Sequence, residues 1–373
     1  MIKTIFVRLT HHSTALLFLI FFLSAFQPDP KVIILHDEQL SIIPKEYYVA
    51  NVVDERDNRS AIAWLLPVAG QANAQPKAYP VDFQGGGLSA IKLFIEHNLP
   101  RNPALRPIVI RLKKFAANES PLAGGRVEGH VAMAMSFDLK RDNEETVHLA
   151  DYNGSAKYNR KAGTGQAIEP ILRHVLEDGL AYLNTWMDQQ ASTNINLARS
   201  VRISFTDYRE KKEGDSIYYS IKRPLTWDDF RAAVPTSKFD AEAFPGLGYE
   251  ERAGVAMGVI NVQIAVKVYL PKSAGWVKSS SRTAYALNHE QRHFDIVKIV
   301  AEHFKKNLTA EHLPVGNFEG PINVQYLESL REMNRLQKEY DGETKHGSDQ
   351  TAQQSWNERI DKELKELGVK GEK

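Results

Sequence analysis

Thr283-Ala-Tyr-Ala-Leu-Asn-His-Glu-Gln-Arg-His-Phe-Asp-Ile-Val-Lys-Ile-Val-Ala-Glu-His-Phe-Lys-Lys-Asn-Leu308 contains no Pro or Gly and carries the string His289-Glu-Gln-Arg-His293. Tyr285, Leu287, Phe294, Val297, Ile299, Val300 and Phe304 supply a helix with an apolar side that can dock on a sheet. Residues four apart in an α-helix share a face, so His289 and His293 point the same way. Two imidazoles so placed can hold one metal ion, and Glu290 beside them can take a proton from water. The spacing therefore predicts a helix over 283–308, a Zn²⁺ site and Glu290 as general base.

A zinc hydrolase site uses three protein ligands and leaves one position open. The pattern HExxHxxGxxH is absent, because Ile296 and Ile299 stand where Gly and His would be. His303 lies roughly 15 Å further along the same helix, out of reach. Asp295 points to another face and reads as a carboxylate supporting the ligands or capping the helix. The segment 340–347, read as a turn between the last two helices, concentrates Asp341, Glu343 and His346. His346 is the expected third ligand, since imidazole suits zinc and Gly347 permits close backbone approach. Asp341, Glu343 and, on the preceding helix, Glu332 remain alternatives. Tyr340 is a candidate donor to a tetrahedral oxyanion or a core residue.

Outward from the motif, 322–340 and 350–367 read as two further helices, and 201–208, 216–221 and 257–270 as strands. The polar run 189–196 suits a linker. Upstream, 47–53 and 61–66 read as strands forming a hairpin, 67–80 as a loop, and 108–115, 126–139 and 146–158 as strands. Helical periodicity follows Gly85–Gly87 and recurs over 167–187. Gly163-Thr-Gly165 reads as a turn, and Gly85–Gly87 as either a flexible helix entry or an anion cradle. The expected fold is α+β in two domains. Residues 31–195 form an α+β domain of about five strands and two helices. Residues 196–373 form a zincin-like domain of strands followed by the HExxH helix and two more.

Charge is balanced, with 47 basic residues against 46 acidic, which provides no basic field for nucleic acid. An apolar content of 43% is enough for a real core. There is no cysteine, which excludes disulfides, thiolate nucleophiles and Cys-ligated zinc. Lys3 and Arg8 precede an apolar run over 14–26, too short to span a bilayer. That is the pattern of a signal peptide over 1–26, cut near Ala25, with an uncleaved anchor as the alternative. The expected location is secreted or periplasmic, with no membrane span after cleavage.

The string Leu287-Asn-His-Glu-Gln-Arg-His-Phe-Asp-Ile296 is preceded by Leu225-Thr-Trp-Asp-Asp-Phe230 and Ser273-Ala-Gly-Trp-Val-Lys278, and followed by Tyr340-Asp-Gly-Glu-Thr-Lys-His-Gly347 with Gln354 and Trp356. Over about 200–367 this resembles a family of predicted secreted bacterial zinc-dependent proteases, catalogued mainly as a domain of unknown function. The resemblance implies a metallopeptidase acting on peptide or protein substrates. The alternative is an envelope protein that binds metal, protein or glycan without turnover. Thr226-Trp-Asp-Asp229 by itself reads as a capping box opening a short helix.

Overall fold

The computed structural model describes residues 32–67, 77–141, 145–161 and 168–369. The expected signal peptide and the turn at Gly163–Gly165 lie outside the described residues. In chain order the elements are β1 (Tyr47–Asp54), β2 (Ala63–Leu65), β3 (Tyr79–Val81), α1 (Gly87–Asn98), β4 (Arg106–Leu122), β5 (Arg126–Lys140), β6 (Thr146–Lys161) and α2 (Glu169–Gln190). There follow β7 (Ser200–Asp207), β8 (Ser216–Tyr218), β9 (Ala241–Glu242), β10 (Gly246–Ala256), β11 (Val259–Pro271), β12 (Trp276–Val277), α3 (Ala284–Ala310), α4 (Glu319–Thr344) and α5 (Gln350–Glu366). The fold is α+β.

The first sheet has the order β3-β2-β4-β5-β6, with β1 also on β4. The expected hairpin of 47–53 with 61–66 does not form. β4 is long enough to take both segments end to end along one edge, β1 parallel on Arg106–Leu112 and β2 parallel on Ala117–Asn118. β2 then pairs antiparallel with β3, a short strand that takes in the last two residues of the segment expected to be a loop. Leu172, Val175, Leu176, Leu180, Leu183 and Met187 of α2 pack with Ile91, Phe94 and Ile95 of α1 into this sheet's apolar cluster. The glycines before α1 are not an anion cradle: the Gly87 amide donates to the Asp82 carboxylate at 3.0 Å.

The second sheet pairs β11 with antiparallel β10 on one edge, and with parallel β7 and antiparallel β8 on the other. β10 is an addition to the strands expected. Its sequence, Gly-Leu-Gly-Tyr-Glu-Glu-Arg-Ala-Gly-Val-Ala, is polar and largely uncovered, so it lacks an apolar signature. Its hairpin with β11 turns on Met257 and Gly258, with φ 51° and 72°. Positive φ at both positions matches the right-handed twist of the strands.

α3 is the axis of the second apolar cluster. Phe294, Val297, Ile299, Val300, Phe304 and Leu308 are buried with Ile260, Val262, Ile264 and Val266 of β11 on one side. On the other side, Ile322, Leu336 and Tyr340 of α4 and Trp356, Ile360 and Leu364 of α5 close over it. Burial on both faces fixes the rotation of α3 and so the direction of its histidines. The first cluster runs from Ile33 to Leu197 and the second from Ile217 to Leu364, each around its own sheet. No described helix is long and apolar enough to cross a membrane.

Candidate metal centre

α3 begins at Thr283, whose hydroxyl accepts the Ala286 amide at 3.1 Å. Two turns on, His289 and His293 stand with ring centroids 4.9 Å apart. The four-residue spacing places them together, but their orientation comes from behind. His289 Nδ1 meets Gln353 Oε1 of α5 at 2.9 Å, and His293 Nδ1 meets Gln337 Oε1 of α4. The Gln337 amide nitrogen donates to the His293 carbonyl at 2.9 Å, so its oxygen must be the atom facing the ring. Each imidazole thus donates from Nδ1 and keeps its lone pair on Nε2.

Both Nε2 lone pairs point at one atom. Asp341 Oδ1 is 3.0 Å from His293 Nε2 and 3.3 Å from His289 Nε2. It is buried and receives no hydrogen bond. Three electron-rich atoms converging out of water repel one another unless a cation joins them. A proton on a ring is one remedy. It shows in Asp341, where burial works to raise the carboxyl but the two histidines outweigh it and hold it far below the ordinary range. It also shows in His293, where burial works to lower the ring but Asp341 carries it upward. A divalent metal ion is the other remedy. Two imidazole nitrogens and a carboxylate oxygen, all within 4.8 Å of one another, form a donor set that fits one.

The structure brings together His289, His293 and Asp341, and leaves His346 outside that cluster. The expectation of His346 as third ligand rested on reading 340–347 as a turn. Instead α4 continues through Gly342 to Thr344, and Asp341 sits on its inner face. Burial of Tyr340 and Thr344, both 0% exposed, offsets the roughly 1 kcal/mol that glycine costs inside a helix. His346 lies in the chain reversal beyond, its ring against Phe239 with centroids 4.2 Å apart. Its Nδ1 is 3.5 Å from Asp341 Oδ1. The remaining alternatives are engaged elsewhere: Glu343 accepts from the Trp356 indole at 2.7 Å, and Glu332 pairs with His303 at 2.9 Å.

Glu290 is buried at the cavity wall beside the histidines, and its Oε2 accepts the Ala243 amide at 2.7 Å. Burial pushes its carboxyl up, with partial relief from the two histidines. Tyr340 packs beneath the rings, stacked on His289 at 4.8 Å and edge-on to His293 at 4.9 Å. Its hydroxyl is held between the His289 carbonyl and Gln353, so it supports the ligands rather than facing the cavity.

The two variable residues of the motif are also committed. Gln291 accepts the Leu225 amide at 2.8 Å and donates to Asp295 at 2.9 Å, docking the Trp-Asp-Asp-Phe segment on α3. Thr226 and Asp229 do form the capping box. Arg292 binds Asp361 and Asp295, at 2.6 and 2.9 Å, tying α5 to α3. Asp295 also accepts from Tyr219, on the side away from the cluster.

Sequence reasoning missed Gln337 and Gln353. Gln337 precedes Asp341 by one helical turn, which periodicity reveals once the helix is known to run past Tyr340. Gln353 has no such signal. Above the cluster opens a cavity of about 900 Å³, bounded by the segment around Phe239–Pro245, by Met333 and Asn334, and by His346–Ser348.

No family model matches this chain, and no curated protein matches it. Among solved structures it is similar to a Xanthomonas campestris protein assigned to DUF330 (10% identity, TM-score 0.28), covering 43% of this chain and 96% of that one. It is also similar to a minor lipoprotein from Acinetobacter baumannii (10% identity, TM-score 0.21; 39% and 94% covered). A third is an uncharacterized protein (10% identity, TM-score 0.22; 43% and 100% covered). Scores of this size do not establish a shared fold.

Proposed function

We propose that this chain is an exported zinc-dependent peptidase. The observation that carries the reading is the convergence of His289 Nε2, His293 Nε2 and the unpartnered Asp341 Oδ1 on the floor of a large cavity, beside the buried Glu290. His289, His293 and Asp341 would hold the ion, and Gln353 and Gln337 would keep the rings in the binding tautomer. When bound, Zn²⁺ supplies Lewis acidity that makes water a nucleophile near neutral pH and polarises a carbonyl. Glu290 takes the proton of the attacking water and returns it to the leaving amine nitrogen. The Ala243 amide fixes one Glu290 oxygen, and burial raises the carboxyl's proton affinity toward that of a working base. The basic start and apolar run over 14–26 support export to the periplasm or beyond.

Purified protein is expected to carry one equivalent of zinc and to cleave members of a peptide library, with chelator abolishing cleavage. Glu290→Gln is expected to keep the zinc and lose at least about 10²-fold in rate. A fully active Glu290→Gln protein overturns the mechanism. A wild-type protein with no zinc and no gain in stability on adding it overturns the reading altogether.

A further inference from the structure

His346 is excluded from the ligand cluster, yet it is held there at a cost. Lys345, His346 and Gly347 have φ of 49°, 52° and 77° in succession. A helix commonly ends on one left-handed residue, usually glycine. Two with side chains are a strain that persists only where surrounding contacts enforce it. Here the reversal does two things. It lays Gly347 on the His289 ring, where a Cβ would come within 3.2 Å of Cγ, and it turns the His346 ring onto Phe239 at the cavity wall.

Several of the other donors near the cluster are engaged. Both polar atoms of the Gln337 amide serve His293, the Tyr340 hydroxyl lies beneath the rings, and the Tyr285 hydroxyl donates to the Gly347 carbonyl at 2.7 Å. Lys345 is paired with Asp349 at 3.2 Å. The His346 side chain is 46% exposed, and its ring reaches within 3.5 Å of Asp341 Oδ1.

We propose that His346 is a catalytic residue on the substrate side of this site, donating a ring N–H to the scissile carbonyl oxygen as it becomes an oxyanion. The inference rests on the metallopeptidase reading above. No bond is made or broken by His346. It contributes a hydrogen bond that strengthens as negative charge develops, the kind of contact that raises kcat more than it lowers KM. The tilted contact with Phe239 and the left-handed backbone hold the ring in place beforehand, so little reorganisation accompanies the reaction.

The test uses the full chain loaded with Co²⁺ and titrated with methylphosphonate, a tetrahedral oxyanion that needs no knowledge of peptide preference, read by visible absorption. H346F keeps a ring against Phe239 and removes the donor. H346N suits a left-handed backbone but is too short to reach the same point, and so secures the result if the first variant folds poorly. Both are expected to bind Co²⁺ within about threefold of wild type and methylphosphonate about 10- to 100-fold more weakly, the scale of one charge-assisted hydrogen bond. Loss of Co²⁺ binding in both would make His346 a ligand and overturn the inference, as would unchanged methylphosphonate affinity or a wild-type protein that takes Co²⁺ but not the anion. A wild-type protein that takes no metal overturns the peptidase reading itself, a distinct outcome.

Discussion

Replacing Gln353 by Leu tests whether the backs of the histidines govern the site. Gln353 is 1% exposed and touches three groups: His289 Nδ1 at 2.9 Å, the Tyr340 hydroxyl at 2.9 and 2.6 Å, and Asn357 Oδ1 at 3.0 Å. Leu has nearly the same volume, so little cavity is created. Asn357 keeps Asn288 and Arg292, both at 3.0 Å, and the Tyr340 hydroxyl keeps the His289 carbonyl at 3.3 Å. The group left stranded is the His289 Nδ1–H. One buried unsatisfied donor costs about 1–3 kcal/mol, which is the stability loss expected of the metal-free protein. Losing the partner behind a metal-binding histidine typically weakens affinity about 10- to 100-fold, or roughly 1.4–2.7 kcal/mol. By linkage, saturating zinc should widen the stability gap between variant and wild type by that second amount, to about 2–6 kcal/mol. Denaturant unfolding with and without zinc, together with competition against a chromophoric chelator, measures both quantities. A folded Gln353→Leu protein whose zinc affinity stays within about threefold of wild type would refute the reasoning, because the Nδ1 contact would then not set the ligand.

Gly347→Ala combines a left-handed φ of 77° with a Cβ 3.2 Å from His289 Cγ and Nδ1. It is expected to cost about 1–2 kcal/mol in unfolding and to weaken zinc binding, and unchanged values of both would show that the reversal does not brace His289. Asp229 supplies a pH test away from the His289–His293–Asp341 cluster. Burial alone would raise its carboxyl, but the Arg223 guanidinium at 2.7 Å and the Thr226 amide and hydroxyl hold it below the ordinary range. A folded-state value below the unfolded one, about 3.9, means its contribution is complete above that pH and is lost as pH falls through the lower folded value. The stability advantage of wild type over Asp229→Asn should therefore be level from about pH 7 to about 5 and shrink below about 4. A gap that stays constant down to about pH 2.5 would contradict the assignment.

The parts of this fold that can be read in advance are those with a strong local period. The second half of α3, with Phe294, Val297, Val300, Phe304 and Leu308 buried in one stripe, and the Val/Ile-rich β11 are of that kind. So is α2, whose stripe from Leu172 to Met187 packs wholly against its sheet. β10 escapes such a reading because one side of it is uncovered and it has little apolar pattern to show. β1 and β2 do not form a hairpin because proximity in sequence is not pairing. The long β4 offers both a better edge, and that depends on a strand starting beyond α1.

The candidate site divides along the same line. The sequence by itself determined that His289 and His293 share a face with Glu290 at their side, because an α-helix repeats every 3.6 residues and nothing interrupts this one. It also determined that no thiolate takes part and that no ligand follows at the HExxHxxGxxH spacing. Which carboxylate completes the cluster was decided only by tertiary structure. α4 runs one turn past Tyr340 because burying Tyr340 and Thr344 outweighs a glycine in the helix. That extra turn carries Asp341 inward, one turn beyond the Gln337 that backs His293, and leaves His346 in the reversal, facing the cavity.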